Sequence, residues 1–275
     1  AECLIEALKK KKKKRGMELN KIYNESNLET MARMPDGFID LTVTSPPYDN
    51  LREYKGFSFP FENIAKELYR VTKDGGVLVW VVADSVIDGS ESGTSFKQAL
   101  YFKEQGFNLH DTMIYQKNSY PFPPTNRYYQ QFEYMFVFSK KKPNTANLLK
   151  CESGNKKRKS TQRNKDGTTT TFKSNGNKYR LMDNVWLEDT GYMRTTKDKE
   201  AYKHPAMFPE SLSEKHILTW SNENDLIYDP FMGSGTTAKM SILNNRNWIG
   251  SEISKEYVEI AEKRIAPYLA QTLLF

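Results

Sequence analysis

Thr44-Ser45-Pro46-Pro47-Tyr48 closes an apolar run, Phe38-Ile39-Asp40-Leu41-Thr42-Val43, that is rich in β-branched residues. The run reads as a short buried strand. Pro46 and Pro47 have no N–H to give to a sheet ladder, so the strand stops at about Ser45. A rigid loop follows at the carboxyl end of a strand, where open α/β sheets put their ligand chemistry. The loop holds a small hydroxyl, two carbonyls without neighbouring N–H donors, and an aromatic ring. An exocyclic amine on a flat base asks for that set: acceptors for its two N–H groups and a ring to stack on. The competing reading is a strand ended by an ordinary Pro-Pro turn. The stretch alone does not choose between the two.

Outward from this loop, strands and helices alternate. Asn20–Tyr23 reads as a first short strand. Asn27–Met34 has a helical pattern with Leu28, Met31 and Met34 on one face, stopped by Pro35-Asp36-Gly37. Phe61–Val71 is amphipathic, with Ile64, Leu68 and Val71 in register, and Lys73-Asp74-Gly75-Gly76 reads as its closing turn. Val77–Val82 is the best buried strand in the chain. Residues 84–95 read as a Gly/Ser-rich loop, and Phe96–Gln105 as a helix ended by Gly106. Phe107–Gln116 and Gln131–Phe138 are two more strands. Glu210–Trp220 returns to helical periodicity. Asp225–Tyr228 and Asn247–Gly250 are strands, with helices at about Thr236–Asn244 and Tyr257–Ala266. This alternation predicts an α/β domain with a mostly parallel sheet.

Charge divides the chain further. The net charge is +7, of which residues 1–16 carry +5 through the lysine run that ends at Arg15. Residues 1–16 are read as a disordered basic leader, with the natural start at Met17. Residues 140–203 are polar and carry +10, which leaves about −8 on the α/β part. A basic insertion in an acidic scaffold is the footprint of a polyanion-binding module. Phe172, Tyr179, Trp186 and Tyr192 interleave with it, and imply that part of it folds. Cys3 and Cys151 give neither a disulfide framework nor a metal spacing, and three scattered histidines argue against a metal site. No apolar stretch is long enough to span a bilayer, which makes a cytoplasmic location the default.

A second constellation follows the 225–228 strand. Asp229-Pro230-Phe231-Met232-Gly233-Ser234-Gly235-Thr236-Thr237 is a strand–glycine turn–helix element. Its glycines let backbone approach a ligand, and its helix N-terminus offers N–H groups. Glu252, at the end of the next strand, is placed to accept from ribose hydroxyls; it lies 17 residues beyond Gly235.

At these residues the chain resembles the DNA amino-methyltransferases. Asp229–Thr237 resembles their S-adenosylmethionine motif and Thr44–Tyr48 their catalytic motif. The order of catalytic motif, basic insertion and cofactor motif resembles the β-class arrangement. His204-Pro205-Ala206-Met207-Phe208-Pro209-Glu210-Ser211-Leu212 is similar to the leading cofactor segment. Gly250-Ser251-Glu252-Ile253, with Tyr257 and Ala261-Glu262-Lys263-Arg264-Ile265, is similar to the ribose-binding strand and helix. The resemblance covers residues 20–139 and 204–268. In one place the chain departs from it: the family often carries an aspartate in a segment like residues 24–36, where Ser26-Asn27 stand here.

The resemblance implies a Rossmann-like, mostly parallel sheet with helices on both faces and a circularly permuted motif order. Residues 17–139 would form the catalytic half, 140–203 the target-recognition insertion and 204–275 the cofactor half. It implies catalysis at Ser45, Pro46, Pro47 and Tyr48, without metal. It implies S-adenosyl-L-methionine held by Asp229, Phe231, Gly233, Ser234, Gly235, Thr236, Thr237 and Glu252, with His204, Pro205, Phe208 and Pro209. The expected partner is double-stranded DNA. A homodimer and a separately acting restriction endonuclease are further partners that the resemblance admits. Ser45 in place of aspartate favours the N4 amine of cytosine over the N6 amine of adenine. The rival classes are a catalytically silent nucleic-acid-binding module and an RNA or protein amide methyltransferase. Intact Ser45, Tyr48, Asp229 and Glu252 oppose the first, and the motif order opposes the second.

Overall fold

The computed structural model describes residues 17–47, 59–118, 126–153, 158–174, 176–203 and 207–272. The leader at 1–16, Tyr48, His204 and Pro205 lie outside the described residues. In chain order the first half contains β1 (Lys21–Tyr23), α1 (Asn27–Arg33), β2 (Ile39–Thr44), α2 (Phe61–Val71), β3 (Thr72–Val82), β4 (Val86–Ile87), β5 (Ser90–Glu91), α3 (Thr94–Glu104), β6 (Asn108–Lys117) and β7 (Phe132–Ser139). The basic segment contributes β8 (Lys150–Glu152), β9 (Arg158–Arg163), β10 (Thr169–Ser174), β11 (Tyr179–Leu181) and β12 (Val185–Glu188). After a short 3-10 turn come α4 (Glu210–Trp220), β13 (Leu226–Asp229), α5 (Thr236–Leu243), β14 (Asn247–Ser251) and α6 (Lys255–Thr272).

Eight strands make one sheet in the order β1-β14-β13-β2-β3-β7-β6-β12. β7 runs antiparallel to both of its neighbours; every other adjacent pair is parallel. Helices cover both faces, which explains why β3 is a continuous apolar run rather than an alternating one. Val77, Val79 and Val81 face α4, α5 and α6, among Ile217, Ala238 and Ala261. Leu78, Trp80 and Val82 face α1, α2 and α3, among Met31, Leu68 and Phe102. Among the described residues no helix is long and apolar enough to cross a membrane.

The structure changes four of the predicted elements. Lys73–Gly76 does not close α2 but extends β3, because Gly75 donates to Lys140 O at 2.6 Å and Lys140 donates back to Gly76 O at 3.0 Å. The ladder is bulged there, between Ile39 and Leu41 of β2. Residues 84–95 are not all loop: β4 and β5 form a hairpin turned by Asp88 and Gly89, both at positive φ, as a tight hairpin turn requires. α6 does not stop at Ala266 but runs on through Pro267, where Tyr268 and Leu269 still pack on the core. Residues 182–203 belong to the body: β12 pairs with β6 as the eighth strand, and buried Trp186 lies 4.7 Å from the His216 ring.

His216 is fully buried on α4. Its Nε2 meets Met135 Sδ at 3.3 Å, and its Nδ1 has no partner among the described residues. Burial, and then the charge of Lys215, push its pKa down to about 3. The ring is therefore neutral in the folded protein, while in the unfolded chain it takes a proton near pH 6.5. The stability that depends on this difference is complete above pH 6.5 and is lost as the pH falls toward 3, at about 1.4 kcal/mol per pH unit. Thermal melts between pH 7.5 and 4.5 are expected to fall more steeply for the wild type than for His216→Leu. Parallel curves would remove His216 from the acid response.

Candidate active site

Four adjacent strands, β1, β14, β13 and β2, end on the same edge of the sheet and bring the distant motifs side by side. β2 stops at Thr44 and runs into Ser45-Pro46-Pro47, with Pro46 buried and Ser45 and Pro47 half-buried. β13 ends at Asp229, directly beside it. Asp229, only 5% exposed, joins the two motifs. Its Oδ1 accepts from Thr44 Oγ1 at 2.6 Å and from the Phe231 amide at 3.0 Å. Its Oδ2 accepts from Thr237 Oγ1 at 2.7 Å. Burial raises the Asp229 pKa, while the Thr44, Thr237 and Phe231 hydrogen bonds pull it back down.

The ring of Phe59 lies 5.7 Å from Phe231, in the same turn, in an edge-on contact. Trp80 of β3 sits 6.2 Å from Phe231 on another side. The strand end at Thr44 is thus held to the Asp229–Thr237 turn by a carboxylate, and Phe59 packs on the same turn through Phe231.

The turn is shaped by its two glycines, Gly233 and Gly235, both in the left-handed region. At Gly235 a Cβ would also lie 3.0 Å from Ala261 Cβ of α6, so the turn seats directly on that helix. Gly235 begins α5. The amides of Gly233 and Gly235 are already engaged: Gly233 donates to Glu252 Oε2 at 2.9 Å, and Gly235 to Met232 O at 2.9 Å. Glu252 Oε1 accepts from the Ser254 amide at 2.9 Å. Burial raises the Glu252 pKa, opposed by these backbone donors. The N-terminal segment borders the turn as well. Asn27 Nδ2 donates to Pro230 O at 3.2 Å, and Asn24 Nδ2 to Glu252 O at 2.9 Å. Ser26 is the capping-box residue of α1.

Not every predicted residue is placed at the turn. Phe208 packs on the core, and Pro209 begins α4. Glu210, next in line, reaches the turn through Arg264, which donates to both. Lys239 and Asp198 have no part in the motif-level reading of the sequence, and Arg264 enters it only as a member of the Ala261–Ile265 stretch, with no role of its own. A signal for Arg264 is visible in retrospect: it sits with Val258, Ala261 and Ile265 on the apolar stripe of α6, where a lone arginine requires buried partners.

Residues 39–263 match the family model described as DNA methylase. The orphan methyltransferase M.BamHII of Bacillus amyloliquefaciens is 58% identical over 241 residues, 85% of this chain and 91% of that protein. The type II methyltransferase M.BglII of Bacillus subtilis is 28% identical, over 88% of this chain and 68% of that one. Among solved structures, the cytosine-N4-specific PvuII DNA methyltransferase superposes with a TM-score of 0.68 at 19% identity, covering 94% of this chain and 93% of its own. The complex of M1.HpyAVI with S-adenosylmethionine superposes with a TM-score of 0.59 at 25% identity, covering 89% and 98%. The Ser45-Pro46-Pro47 strand end is thus joined through one buried carboxylate to the Asp229–Thr237 turn, on a sheet that such enzymes share. This chain belongs to the DNA methylase family and is an S-adenosylmethionine-dependent DNA methyltransferase.

Proposed function

We propose that this enzyme methylates the exocyclic N4 of cytosine, with Ser45, Pro46, Pro47 and Tyr48 as the catalytic loop. The observation that carries the proposal is a neutral hydroxyl, Ser45, next to the Thr44–Asp229–Thr237 junction. An amine conjugated to a ring is a weak nucleophile because its lone pair is delocalised. Ser45 Oγ and the Pro46 carbonyl accept its two hydrogens and favour a tetrahedral nitrogen. Tyr48 stacks on the base once it has left the duplex. When bound, S-adenosylmethionine supplies a methyl group activated on a sulfonium sulfur. The contribution of the protein is position and preorganised dipoles.

The residues around the turn fit that cofactor. The amides of Thr236, Thr237 and Ala238 open α5 and, by helix geometry, lack intrahelical acceptors, so they suit a carboxylate. The glycines themselves shape the turn, since their own amides are spent internally. Each Glu252 oxygen accepts one backbone amide and keeps a lone pair for a ribose hydroxyl. Asp229 Oδ2 likewise keeps one for the methionine ammonium. Phe231 and Ser234 complete this side, and the same reading keeps His204, Pro205, Phe208 and Pro209 as cofactor contacts.

The basic segment from residue 140 is the target-recognition region in this proposal, up to Leu181, after which the chain returns to the sheet. Its outer part is a two-stranded ribbon, β9 against β10, based on the shorter pair β8 and β11. Residues 150–181 hold ten Lys and Arg against two Asp and Glu. Lys159 lies directly across from Lys173, an arrangement that costs stability until an anion lies against it. Duplex binding is expected to weaken steeply with salt, with a log–log slope of roughly −0.9 per phosphate neutralised. Replacing residues 155–175 by a short Gly-Ser link is expected to lower duplex affinity about tenfold or more and to flatten that slope, with cofactor affinity unchanged. Full-rate methylation of the same site by this variant would reduce the ribbon to a solvated loop. A cytoplasmic location, a homodimer and a separately acting restriction endonuclease belong to the same proposal.

Mapping modified bases by single-molecule sequencing of DNA from expressing cells tests the target base. N4-methylcytosine at one sequence context supports the proposal, and N6-methyladenine overturns it.

A further inference from the structure

Behind the glycine turn lies a buried cluster of four charges drawn from four separate parts of the chain. Arg264 on α6 is 4% exposed and Lys239 on α5 is 5%. Their partners are Asp198, in the segment that leads out of the basic insertion, and Glu210, the first residue of α4. Arg264 Nε donates to Asp198 Oδ2 at 2.8 Å and its Nη2 to Glu210 Oε1 at 2.5 Å. Lys239 Nζ reaches the same two oxygens at 2.7 and 2.8 Å. The remaining face of the guanidinium is turned to the glycine turn. Its Nη1 donates to Ser234 O at 3.0 Å, Ser234 Oγ at 3.2 Å and Thr236 Oγ1 at 2.9 Å.

Two cations and two carboxylates balance, yet burying them contributes little net stability, because desolvation offsets most of their attraction. Orientation is what the cluster supplies. A planar five-donor fork held by Asp198 and Glu210 can present its last edge in one direction only. That edge holds the residues on either side of Gly235, at the start of α5. Thr196 Oγ1 donates to Glu210 Oε1 at 2.5 Å, and Tyr268 OH donates to Asp198 Oδ1 at 3.3 Å. The Asp198 amide donates to the same Thr196 Oγ1 at 3.0 Å, so Asp198 is fixed by Thr196 and Tyr268 while none of its hydrogen bonds goes to the described residues of the turn.

We propose that Arg264 is a positioning residue for S-adenosylmethionine binding, and that Asp198 sets Arg264, so that cofactor affinity depends on the segment leaving the recognition insertion. The proposal rests on reading Asp229–Thr237 as the cofactor turn. Arg264→Lys keeps the charge but cannot hold Ser234 and Thr236 together with both carboxylates. Its calorimetric Kd for S-adenosylmethionine is expected to rise about tenfold, with KM for DNA unchanged and kcat at saturating cofactor within about twofold. Asp198→Asn, a milder change remote from the turn, is expected to raise the same Kd about threefold, and Asp198→Glu to restore most of the loss. Circular dichroism and melting curves check that each variant folds; if Arg264→Lys does not, the two Asp198 variants decide alone. Loss spread equally over both KM values and kcat would mark the cluster as structural and overturn the proposal. Unchanged cofactor affinity in both Arg264→Lys and Asp198→Asn overturns it too. If Asp229→Asn also binds cofactor normally, the reading of the turn fails with it; if Asp229→Asn alone is impaired, only the Arg264 proposal fails.

Discussion

Ser45→Ala is expected to lower kcat on the order of a hundredfold, about 2.7 kcal/mol of transition-state stabilisation, and to leave S-adenosylmethionine affinity unchanged. The change removes one acceptor for the target amine while the backbone on both sides stays fixed. The backbone on one side is β2, paired to β3 through Thr44 and Trp80. On the other side two prolines fix φ. Thr44 keeps its bond to Asp229, so the cofactor turn does not feel the loss. Single-turnover rates with saturating DNA, beside calorimetry with cofactor alone, separate the two effects. A normal methylation rate in this variant would mean that the Ser-Pro-Pro stretch is an ordinary end to a strand.

Asp229→Asn is expected to act on both halves of the site at once. Its carboxylate holds the Thr44 hydroxyl, the Thr237 hydroxyl and the Phe231 amide. An amide of the same size offers one oxygen and turns an N–H toward the other donors. Losing a buried, charged hydrogen bond costs about 1.5–3 kcal/mol, and more where a donor is left facing a donor. S-adenosylmethionine affinity is expected to fall on the order of a hundredfold, where each tenfold is about 1.4 kcal/mol. The rate at saturating cofactor is expected to fall too, because Thr44 loses the anchor that sets Ser45, and the melting temperature drops with them. This dual loss distinguishes a residue that joins two motifs from one that only contacts the cofactor, for which the rate at saturation would hold. Unchanged affinity would remove Asp229 from the cofactor site altogether.

The two motifs and most of the sheet were legible because their signals are local. Prolines after Val43 and Thr44 stop a strand wherever it lies. Glycines at 233 and 235 allow a left-handed turn, and 3.6-residue periodicity at Ile64, Leu68 and Val71 marks a helix face, with no reference to distant residues. Where the reading failed, the deciding partner was remote. Lys73–Gly76 looks like a helix stop until Lys140 pairs with it. Pro267 looks like a helix end until its neighbours are seen packed on the core. Val185–Glu188, inside a polar insertion, becomes a strand because β6 offers it an edge.

By itself, then, the sequence determined the alternation of strands and helices, the two motifs at strand ends and the basic segment between them. Only the tertiary structure decided how they are joined. Asp229 meets Thr44 across 185 positions of chain because β13 lies next to β2 in the sheet, and strand order is a property of the whole packed core. Arg264, Lys239, Glu210 and Asp198 form one cluster for the same reason. No local signal in any of their stretches pairs them, and only burial against the other three makes each position costly to change, since a buried charge must find its partners wherever the fold brings them.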